Sequence, residues 1–319
     1  MTCPVLKFAI SHYDRHVPFL DGSVSLPGFD LQVMQIGQSI NGRYGKNRHG
    51  RMLNGNEFEV AEVSLSSYLM ARARKLPFTA IPVFPRRLFS QSQIWVNAEG
   101  SVHKPKDLIG KRVGLSTFQT TLSLLAKGDL QAEYDVPWRE MEWVTNRPET
   151  VSFAASSEVK ITPIPENKNL GAMLLDRDID AIFRPHPPDQ YLAGDKRIRR
   201  LFEHPKTEEA RYFKKNGFYP IMHITVFRDD VLQAHPEAAE LMQNAYIEAN
   251  NISLRYYNDP NWSRLAWARH FLEEECQLLG EDLWPIGIED NRACLERFIN
   301  YSHDQGLIDR PLSVEELFS

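Results

Sequence analysis

Two titratable side chains stand inside otherwise apolar segments. Glu62 lies among small and β-branched neighbours in the stretch EVAEVSLSSYLMARARK, Glu59 to Lys75, and a carboxylate there needs solvent, a basic partner or a chemical task. His223 lies in the apolar stretch YPIMHITVF, and imidazole has the ordinary pKa best suited to proton transfer near neutral pH. Both also have a structural interpretation. Ser64 would cap a helix that leaves Glu62 just outside it, and His223 would be a hydrogen-bonded core residue.

A pair of adjacent arginines supplies a candidate for holding a carboxylate. Arg86 and Arg87 follow Pro85 in FTAIPVFPRRLFSQSQIWVN, where two short apolar runs predict two strands with a loop between them. Neighbouring arginines in a loop point in different directions, so one could bind a substrate carboxylate as a bidentate fork while the other pairs with an acid. A surface pair without a ligand is the alternative interpretation.

Hydroxyl side chains are concentrated in the stretch GLSTFQTTLSL, where a strand is predicted to meet a helix. The unpaired backbone N–H groups of a helix start, together with nearby hydroxyls, can hold a carboxylate or a phosphate. The residues concerned are Ser116, Thr117, Gln119, Thr120 and Thr121. Ordinary helix capping is the alternative, and the number of hydroxyls favours the anion site only slightly.

The ends of predicted strands supply the other candidates, because α/β folds bind ligands beyond the carboxyl ends of their strands. These positions are Arg184 and His186 in AIFRPHPPD, and His12, Tyr13, Asp14 and Arg15 after the first strand. By contrast, the basic stretch NGRYGKNRHGRML is predicted to be an exposed connection into a short helix. We expect its charges to lie in solvent and assign it no chemistry.

Composition and known motifs exclude several classes of protein. The 319 residues are 42% hydrophobic with a net charge of −5, which suits two α/β lobes with cores and lacks the basic block of a nucleic-acid-binding face. No apolar run of about 20 residues predicts a membrane span. The N-terminus lacks a secretory pattern, and Cys3, Cys276 and Cys294 suit reduced thiols, so a cytoplasmic location is expected.

Familiar catalytic and cofactor motifs are missing from the sequence. It contains no GxGxxG, GxxxxGK[ST], HExxH or GxSxG pattern, so dinucleotide, nucleotide, zinc-protease and esterase functions lose their main support. Histidines and acids do not show the close spacing of a metal site. A metal held by histidines that are distant in sequence stays open.

Strands alternating with helices predict a mostly parallel α/β arrangement. The predicted strands include LKFAIS, FDLQVMQI, FEVAEV, EMEWV, AIFRP and YPIMHITVFR, and long amphipathic helices follow in 236–280 and 291–305. We expect the chain to leave a first lobe near Gln93 and return near Ile221. The predicted lobes are therefore 1–93 plus 221–319 and 94–220, with a ligand cleft between them and the C-terminal helices on the first lobe.

Several stretches together resemble the 4,5-dihydroxyphthalate decarboxylase family, and the resemblance covers nearly the whole chain. They are HYDRHVPFLDG, FEVAEVSLSSYL, IPVFPRRLF, PKDLIGKRVGLS, PIMHITVFR and DLWPIGIEDNRACLERFINYSHDQGLIDRPLSVEELF. The resemblance implies a two-lobed fold of the type 2 periplasmic-binding-protein class with an interlobe cleft. It also implies a decarboxylase for a small dihydroxylated aromatic dicarboxylate, with no organic cofactor.

In such a reaction a ring hydroxyl para to the leaving carboxylate pushes electron density to the carbon that bears it. Protonation of that carbon, followed by loss of carbon dioxide, restores the aromatic ring. We expect Glu62 and His223 to carry protons and Arg87, ahead of Arg86, to hold the retained carboxylate; which of the two carriers protonates the ring stays open. The candidates for substrate contacts are Arg86, Ser64, Thr117, Thr120, Thr121, Arg184, His186, Tyr13 and Asp14.

The competing interpretation is a non-catalytic module that captures a small aromatic anion for a transporter or sensor. Such a receptor would carry a secretion signal or a lipid anchor, and an effector domain of a regulator would carry a helix-turn-helix extension. Neither is seen in the sequence, which favours the enzyme. The exact aromatic acid, the metal requirement and the oligomeric state, including a homo-oligomer, stay open.

Overall fold

The strands and helices follow the apolar runs of the sequence. The computed structural model describes residues 3–38, 40–165 and 167–319. The strands are β1 Val5–Ile10, β2 Asp30–Gln35, β3 Val60–Ser64, β4 Phe78–Arg87, β5 Ile94–Asn97, β6 Arg112–Leu115, β7 Glu142–Thr145, β8 Ile161–Pro163, β9 Ala181–Phe183, β10 Ile198–Arg200 and β11 Ile221–Arg228.

The helices connect these strands and dominate the last third of the chain. They are α1 Val17–Leu20, α2 Arg48–Leu53, α3 Leu65–Ala73, α4 Thr121–Tyr134, α5 Leu170–Leu175, α6 Asp189–Leu192, α7 Pro205–Asn216, α8 Asp229–Ala234, α9 Glu237–Tyr256, α10 Ala268–Leu279 and α11 Arg292–Asp304. Among the described residues, none of these helices is long and apolar enough to cross a membrane.

The described chain divides into two compact units. Unit 1 comprises 1–87, 221–295 and 312–319, and unit 2 comprises 88–220 and 296–311. The predicted lobes place 88–93 and 296–311 in the first lobe, whereas both segments cluster with unit 2. Side-chain contacts explain the second difference, since Arg297 donates to Asn216 at 2.8 Å and Gln305 donates to the Leu124 carbonyl at 2.9 Å.

Unit 1 is built on a five-stranded sheet with the order β2-β1-β3-β11-β4. Strand β1 pairs in parallel with β2 and β3, while β11 runs antiparallel to β3 and β4. Every residue of β3 is buried, and so is all of β11 except Arg228. Central strands covered on both faces read as nearly continuous apolar runs, so the polar residues within them are exceptions that require buried partners.

Unit 2 is built on a six-stranded sheet with the order β10-β5-β9-β6-β7-β8. Strands β9, β6 and β7 and the edge strand β8 pair in parallel, and β5 runs antiparallel to β9 and β10. Trp95, Leu174 and Ile182 lie in its core. The α/β class predicted from the alternation of elements is confirmed.

The junction between β3 and α3 forms as the sequence predicts. Ser64 is the N-cap residue of α3, and its side chain accepts a hydrogen bond from the Ser67 N–H at 3.4 Å. Glu62, however, lies in the middle of β3 rather than at its end, two residues before the cap. Its side chain therefore belongs to a buried strand face and not to a helix entry.

The two arginines after Pro85 do not lie in a loop, which corrects the sequence prediction. Strand β4 continues through Arg86 and Arg87. It continues because β11 lies alongside, with Ile221 opposite Arg87 and His223 opposite Arg86. The register shifts around His223 show that this end of the ladder is irregular.

Two basic residues at the start of α2, Arg48 and His49, are buried against expectation, whereas the basic stretch before them is an exposed connection, as the sequence predicts. It folds back on itself, with hydrogen bonds from the Tyr44 N–H to Gln35 and from the Gly42 N–H to Gly45. A Cβ at Gly42 would lie 2.5 Å from the Gln35 carbonyl oxygen, so glycine is required there. The turn directs Arg48 and His49, at the start of α2, into the interior, where they are 0% and 4% exposed.

Candidate active site

Glu62 and His223 meet because their strands are neighbours. In the antiparallel ladder of β3 and β11, Glu62 lies opposite Thr225 and His223 opposite Ser64. Side chains two positions apart share a face of the sheet, and diagonal pairs on that face lie within reach of each other. The Nδ1 atom of His223 accordingly makes a hydrogen bond with the Oε1 atom of Glu62.

The Glu62 carboxylate has partners on both oxygen atoms. Oε2 forms an ion pair with Arg48 at 3.0 Å and accepts a hydrogen bond from the Ser11 N–H at 3.0 Å. Oε1 accepts the Tyr13 hydroxyl at 3.1 Å in addition to His223. Since Glu62 is fully buried and its acceptor positions are occupied, it can orient and polarise His223 from behind.

The protonation states follow from this environment. Burial by itself raises the pKa of Glu62, but Arg48 and then His223 outweigh burial and hold that pKa well below its usual range. Burial lowers the pKa of His223 to about 4, although Glu62 acts in the opposite direction. At neutral pH Glu62 is therefore an anion, and His223 is neutral with its Nδ1–H donated to Glu62. Its Nε2 atom carries the lone pair.

Arg48 is the cation that stabilises the buried negative charge of Glu62. Its Nε donates to the Glu62 main-chain carbonyl at 2.7 Å, and a terminal nitrogen donates to the Ser11 hydroxyl at 2.7 Å. Buried charges are normally paired and hydrogen-bonded, and this ion pair satisfies both. The sequence reasoning missed Arg48; the available signal was that a carboxylate in an apolar strand requires a cation, and the RHGRML segment supplies one nearby in the chain.

His49 places a second imidazole beside His223. The two ring centroids lie 4.9 Å apart with an interplanar angle of 89°. The His49 N–H donates to the Gln38 side chain at 3.1 Å, which fixes the start of α2. Within the described part of the chain, the buried Nε2 atom of His49 has no hydrogen-bond partner.

The two arginines of β4 have different surroundings. Arg87 is 4% exposed, and its guanidinium donates to the Asn291 side chain and to the Pro285 carbonyl. Arg86 is half-buried and lies opposite His223 in the ladder, and its side chain makes no hydrogen bond or ion pair with the described residues. Its positive charge contributes to lowering the pKa of His223. The geometry therefore favours Arg86 over Arg87 as the arginine available to a ligand.

The other predicted contacts of unit 1 fall into two groups. Tyr13 joins the Glu62 cluster through its hydroxyl, and Ser64 lies opposite His223 while capping α3. Asp14 instead accepts hydrogen bonds from Arg15 and from the Tyr257 hydroxyl. These bonds hold the Asp14 carboxylate within a local network.

In unit 2, the predicted anion site already contains a carboxylate of the protein. Glu149 accepts the N–H groups of Phe118 at 2.6 Å and of Gln119 at 3.2 Å, so these N–H groups are not unpaired as predicted. The Thr120 hydroxyl caps α4 by accepting the Ser123 N–H at 3.3 Å. The Thr117 hydroxyl is buried without a hydrogen-bond partner among the described residues.

Of the remaining candidates of unit 2, Thr121 belongs to this helix start, whereas Arg184 and His186 lie apart from it in sequence. Thr121 is buried in the first turn of α4, Arg184 is half-buried just after β9, and His186 is exposed. Burial lowers the pKa of Arg184. Across the described residues of both units, no group of three histidine, cysteine or acidic side chains is arranged to hold a metal ion.

Sequence comparison identifies relatives of known activity, although no family model matches the chain. The chain is 29% identical to a 4,5-dihydroxyphthalate decarboxylase from Comamonas testosteroni, over 98% of this chain and 96% of that protein. It is 27% identical to a 4,5-dihydroxyphthalate decarboxylase from Pseudomonas putida, over 66% of this chain and 81% of that protein.

Comparison with solved structures identifies the fold. The alkanesulfonate-binding protein SsuA from Xanthomonas axonopodis pv. citri matches with a TM-score of 0.59 and 12% identity over 99% of both chains. Protein AF1704 from Archaeoglobus fulgidus matches with a TM-score of 0.57 and 14% identity, over 95% of this chain and 98% of that one. The desulfurization enzyme DSZB matches with a TM-score of 0.52 and 12% identity, over 99% of this chain and 96% of that one. The chain is therefore a relative of the 4,5-dihydroxyphthalate decarboxylases, as its motifs predict, with the fold of the periplasmic sulfonate-binding proteins.

Proposed function

We propose that this chain is a carboxy-lyase that converts 4,5-dihydroxyphthalate to protocatechuate and carbon dioxide without oxidation. The observation that carries the proposal is the buried Glu62–His223 pair with Arg48 behind it and Arg86 beside it. The names of the two related proteins support the same substrate, a small aromatic dicarboxylate.

The reaction requires a proton at the carbon that loses its carboxylate. His223 is the group we assign to deliver it, because its Nδ1 is held by Glu62 and its Nε2 remains to face a ligand. In the described structure burial lowers its pKa to about 4. A bound dianion adds negative charge nearby, which favours the imidazolium, since an opposite charge within a few ångströms stabilises the charged form.

Glu62 acts on His223 and not on the substrate. A carboxylate hydrogen-bonded to one imidazole nitrogen fixes the ring's tautomer and orientation and stabilises the imidazolium when it forms. The complete burial of Glu62, with partners on both oxygens, supports this positioning role. We therefore propose His223, and not Glu62, as the group that protonates the ring.

Arg86 is the residue we assign to the retained carboxylate. It lies opposite His223 on β4, is half-buried, and has no acidic partner among the described residues. An arginine can hold a carboxylate through two parallel hydrogen bonds, which fixes the orientation of the ring as well as its position. His223 and Arg86 then contact the substrate from the neighbouring strands β11 and β4.

The test is incubation of the purified protein with 4,5-dihydroxyphthalate and measurement of carbon dioxide and protocatechuate. Equimolar formation of both products, lost in His223→Asn, is expected. Binding of hydroxylated aromatic acids without any turnover would instead favour a solute-binding module, the class to which several proteins of the same fold belong. Assaying phthalate, which lacks the hydroxyls, alongside the substrate tests whether the ring hydroxyl drives the chemistry.

A further inference from the structure

His49 contacts His223 edge to face and has a buried nitrogen without a partner in the described chain. We propose that His49 is a second proton carrier, which accepts the proton of the substrate hydroxyl para to the leaving carboxylate. This inference rests on the proposed decarboxylase function and deepens it, because it assigns the residue that recognises a hydroxylated ring.

The start of α2 serves both members of the Glu62–His223 pair. Arg48 forms the ion pair with Glu62, and the next residue, His49, places its ring against His223. The helix start is held by the hydrogen bond from the His49 N–H to Gln38. The helix start thus holds Arg48 against Glu62 and His49 against His223, at the two ends of the hydrogen-bonded pair.

The unpartnered nitrogen indicates what His49 binds. Buried polar atoms in proteins almost always have a hydrogen-bond partner, and an exception requires an explanation. A hydroxyl that donates to this nitrogen would satisfy it. The proposed substrate carries such a donor on the same ring that His223 protonates.

The two imidazoles differ in what surrounds them. His223 has the Glu62 carboxylate as a direct partner, whereas His49 has no ion pair with a carboxylate in the described residues. Burial, then His223 and Arg48, lowers the pKa of His49 well below its usual range, and Glu62 only partly opposes them. His223 is therefore suited to hold the positive charge, and His49 is suited to remain a neutral acceptor.

The proton balance follows. The hydroxyl O–H bond breaks, its proton passes to His49, and its electron pair moves through the ring to the para carbon. That carbon forms a C–H bond with the proton that the His223 imidazolium releases. His223 becomes neutral as His49 becomes an imidazolium, so the two rings never carry a positive charge at the same time. The bond to the carboxylate then breaks, carbon dioxide leaves, and the returning electron pair restores the aromatic ring. His49 returns its proton to the oxygen, and solvent reprotonates His223.

The test compares 4-hydroxyphthalate with phthalate in the His223→Asn background, where turnover cannot obscure binding. The two ligands differ only in one hydroxyl, so the ratio of their affinities measures the contribution of that hydroxyl to binding. In His223→Asn the hydroxylated ligand is expected to bind roughly tenfold tighter, as one buried hydrogen bond allows. Adding His49→Leu should abolish this ratio, whereas adding His49→Gln should keep part of it, because the glutamine carbonyl can still accept the hydroxyl.

Turnover separates acceptance of a hydrogen bond from transfer of a proton. With His223 present, both His49→Gln and His49→Leu should lower turnover of 4,5-dihydroxyphthalate by roughly 10²- to 10⁴-fold. Far-UV circular dichroism and thermal unfolding verify that each variant is folded. His235→Gln is the control, since that half-exposed histidine pairs with Glu237 at 3.6 Å and should leave the ratio and turnover unchanged.

The outcomes are distinguishable. A folded His49→Leu protein with an unchanged affinity ratio, or with normal turnover, overturns the role of His49 while leaving the decarboxylase function in place. A wild-type protein that produces no carbon dioxide overturns the proposed function. In that case the affinity ratio still decides whether His49 contacts a ring hydroxyl.

Discussion

Glu62 and His223 lie on adjacent antiparallel strands, diagonal to each other across one face of the sheet, and are joined by a hydrogen bond from imidazole to carboxylate. The pair is buried, and Arg48 neutralises the carboxylate from the far side. In this order of groups, guanidinium to carboxylate to imidazole, the imidazole is the least buried member, at 6% exposed against 0% for Arg48 and Glu62.

Removing the Glu62 charge should disable His223. We expect Glu62→Gln to lower turnover by roughly 10²- to 10⁴-fold, because the imidazolium loses its stabilising partner and the ring its fixed tautomer. His223→Asn should cause a comparable loss. The double variant should lose less than the product of the two, since residues that act as one unit are not additive. Steady-state kinetics on variants with native circular dichroism measure this, and near-normal turnover of Glu62→Gln would contradict the assignment.

The Arg48–Glu62 ion pair predicts a strong coupling in stability. Removing one partner of a buried ion pair leaves an uncompensated charge and costs about 3–5 kcal/mol. Arg48→Met and Glu62→Gln should each lower the free energy of unfolding by a value of this order, whereas the double variant should lose less than their sum. Urea unfolding of the four proteins gives the coupling energy. Additive losses would show that the two side chains do not depend on each other.

The two arginines of β4 provide a matched pair of variants. Arg86→Met should weaken binding of the substrate about 10- to 100-fold, the range of one charge-assisted contact, with little change in stability. Arg87→Met should instead lower stability, because the buried side-chain oxygen of Asn291 loses the guanidinium that donates to it. Calorimetric titration and thermal unfolding separate the two effects. The reverse pattern would restore the preference for Arg87 that the sequence suggests.

The buried histidines predict that the protein loses stability on acidification. Burial lowers the pKa values of His16 and His223 to about 4, against an ordinary value of 6.5. Between these values the unfolded chain binds more protons than the folded one, so stability falls as the pH decreases from about 6.5 to 4. The depressed pKa of Glu62 adds a loss in the same direction at still lower pH, as that carboxylate becomes protonated.

Urea unfolding at pH 7, 6, 5 and 4.5 measures this slope, and each histidine should contribute up to about 3 kcal/mol across the window. His223→Asn should show a shallower slope than the wild type between pH 6.5 and 4. Its stability at pH 7 provides the reference. A variant with the wild-type slope would show that His223 is not buried in its neutral form.

The strands, the helices and several of the chemical candidates are readable from the amino-acid sequence alone. Apolar runs located β1, β3 and β11, and the alternation of strands with helices determined the α/β class, because burial on a sheet requires such runs. Glu62 and His223 stood out for the same reason, since a titratable group in an apolar strand is an exception that local propensity does not explain. The capping role of Ser64 followed from local chemistry at the helix start.

Which of these groups meet depends on tertiary packing. Arg48 and His49 belong to a basic stretch whose composition predicts solvent exposure. Both are nevertheless buried, and Arg48 forms an ion pair with the buried Glu62 carboxylate. The choice between Arg86 and Arg87 depends on their register beside His223, which no property of an arginine pair encodes. Glu149 likewise reaches the Phe118 and Gln119 N–H groups from about 30 residues away in sequence. Long-range pairing of this kind depends on strand register and on the folding of connecting segments, and these are properties of the whole packed chain.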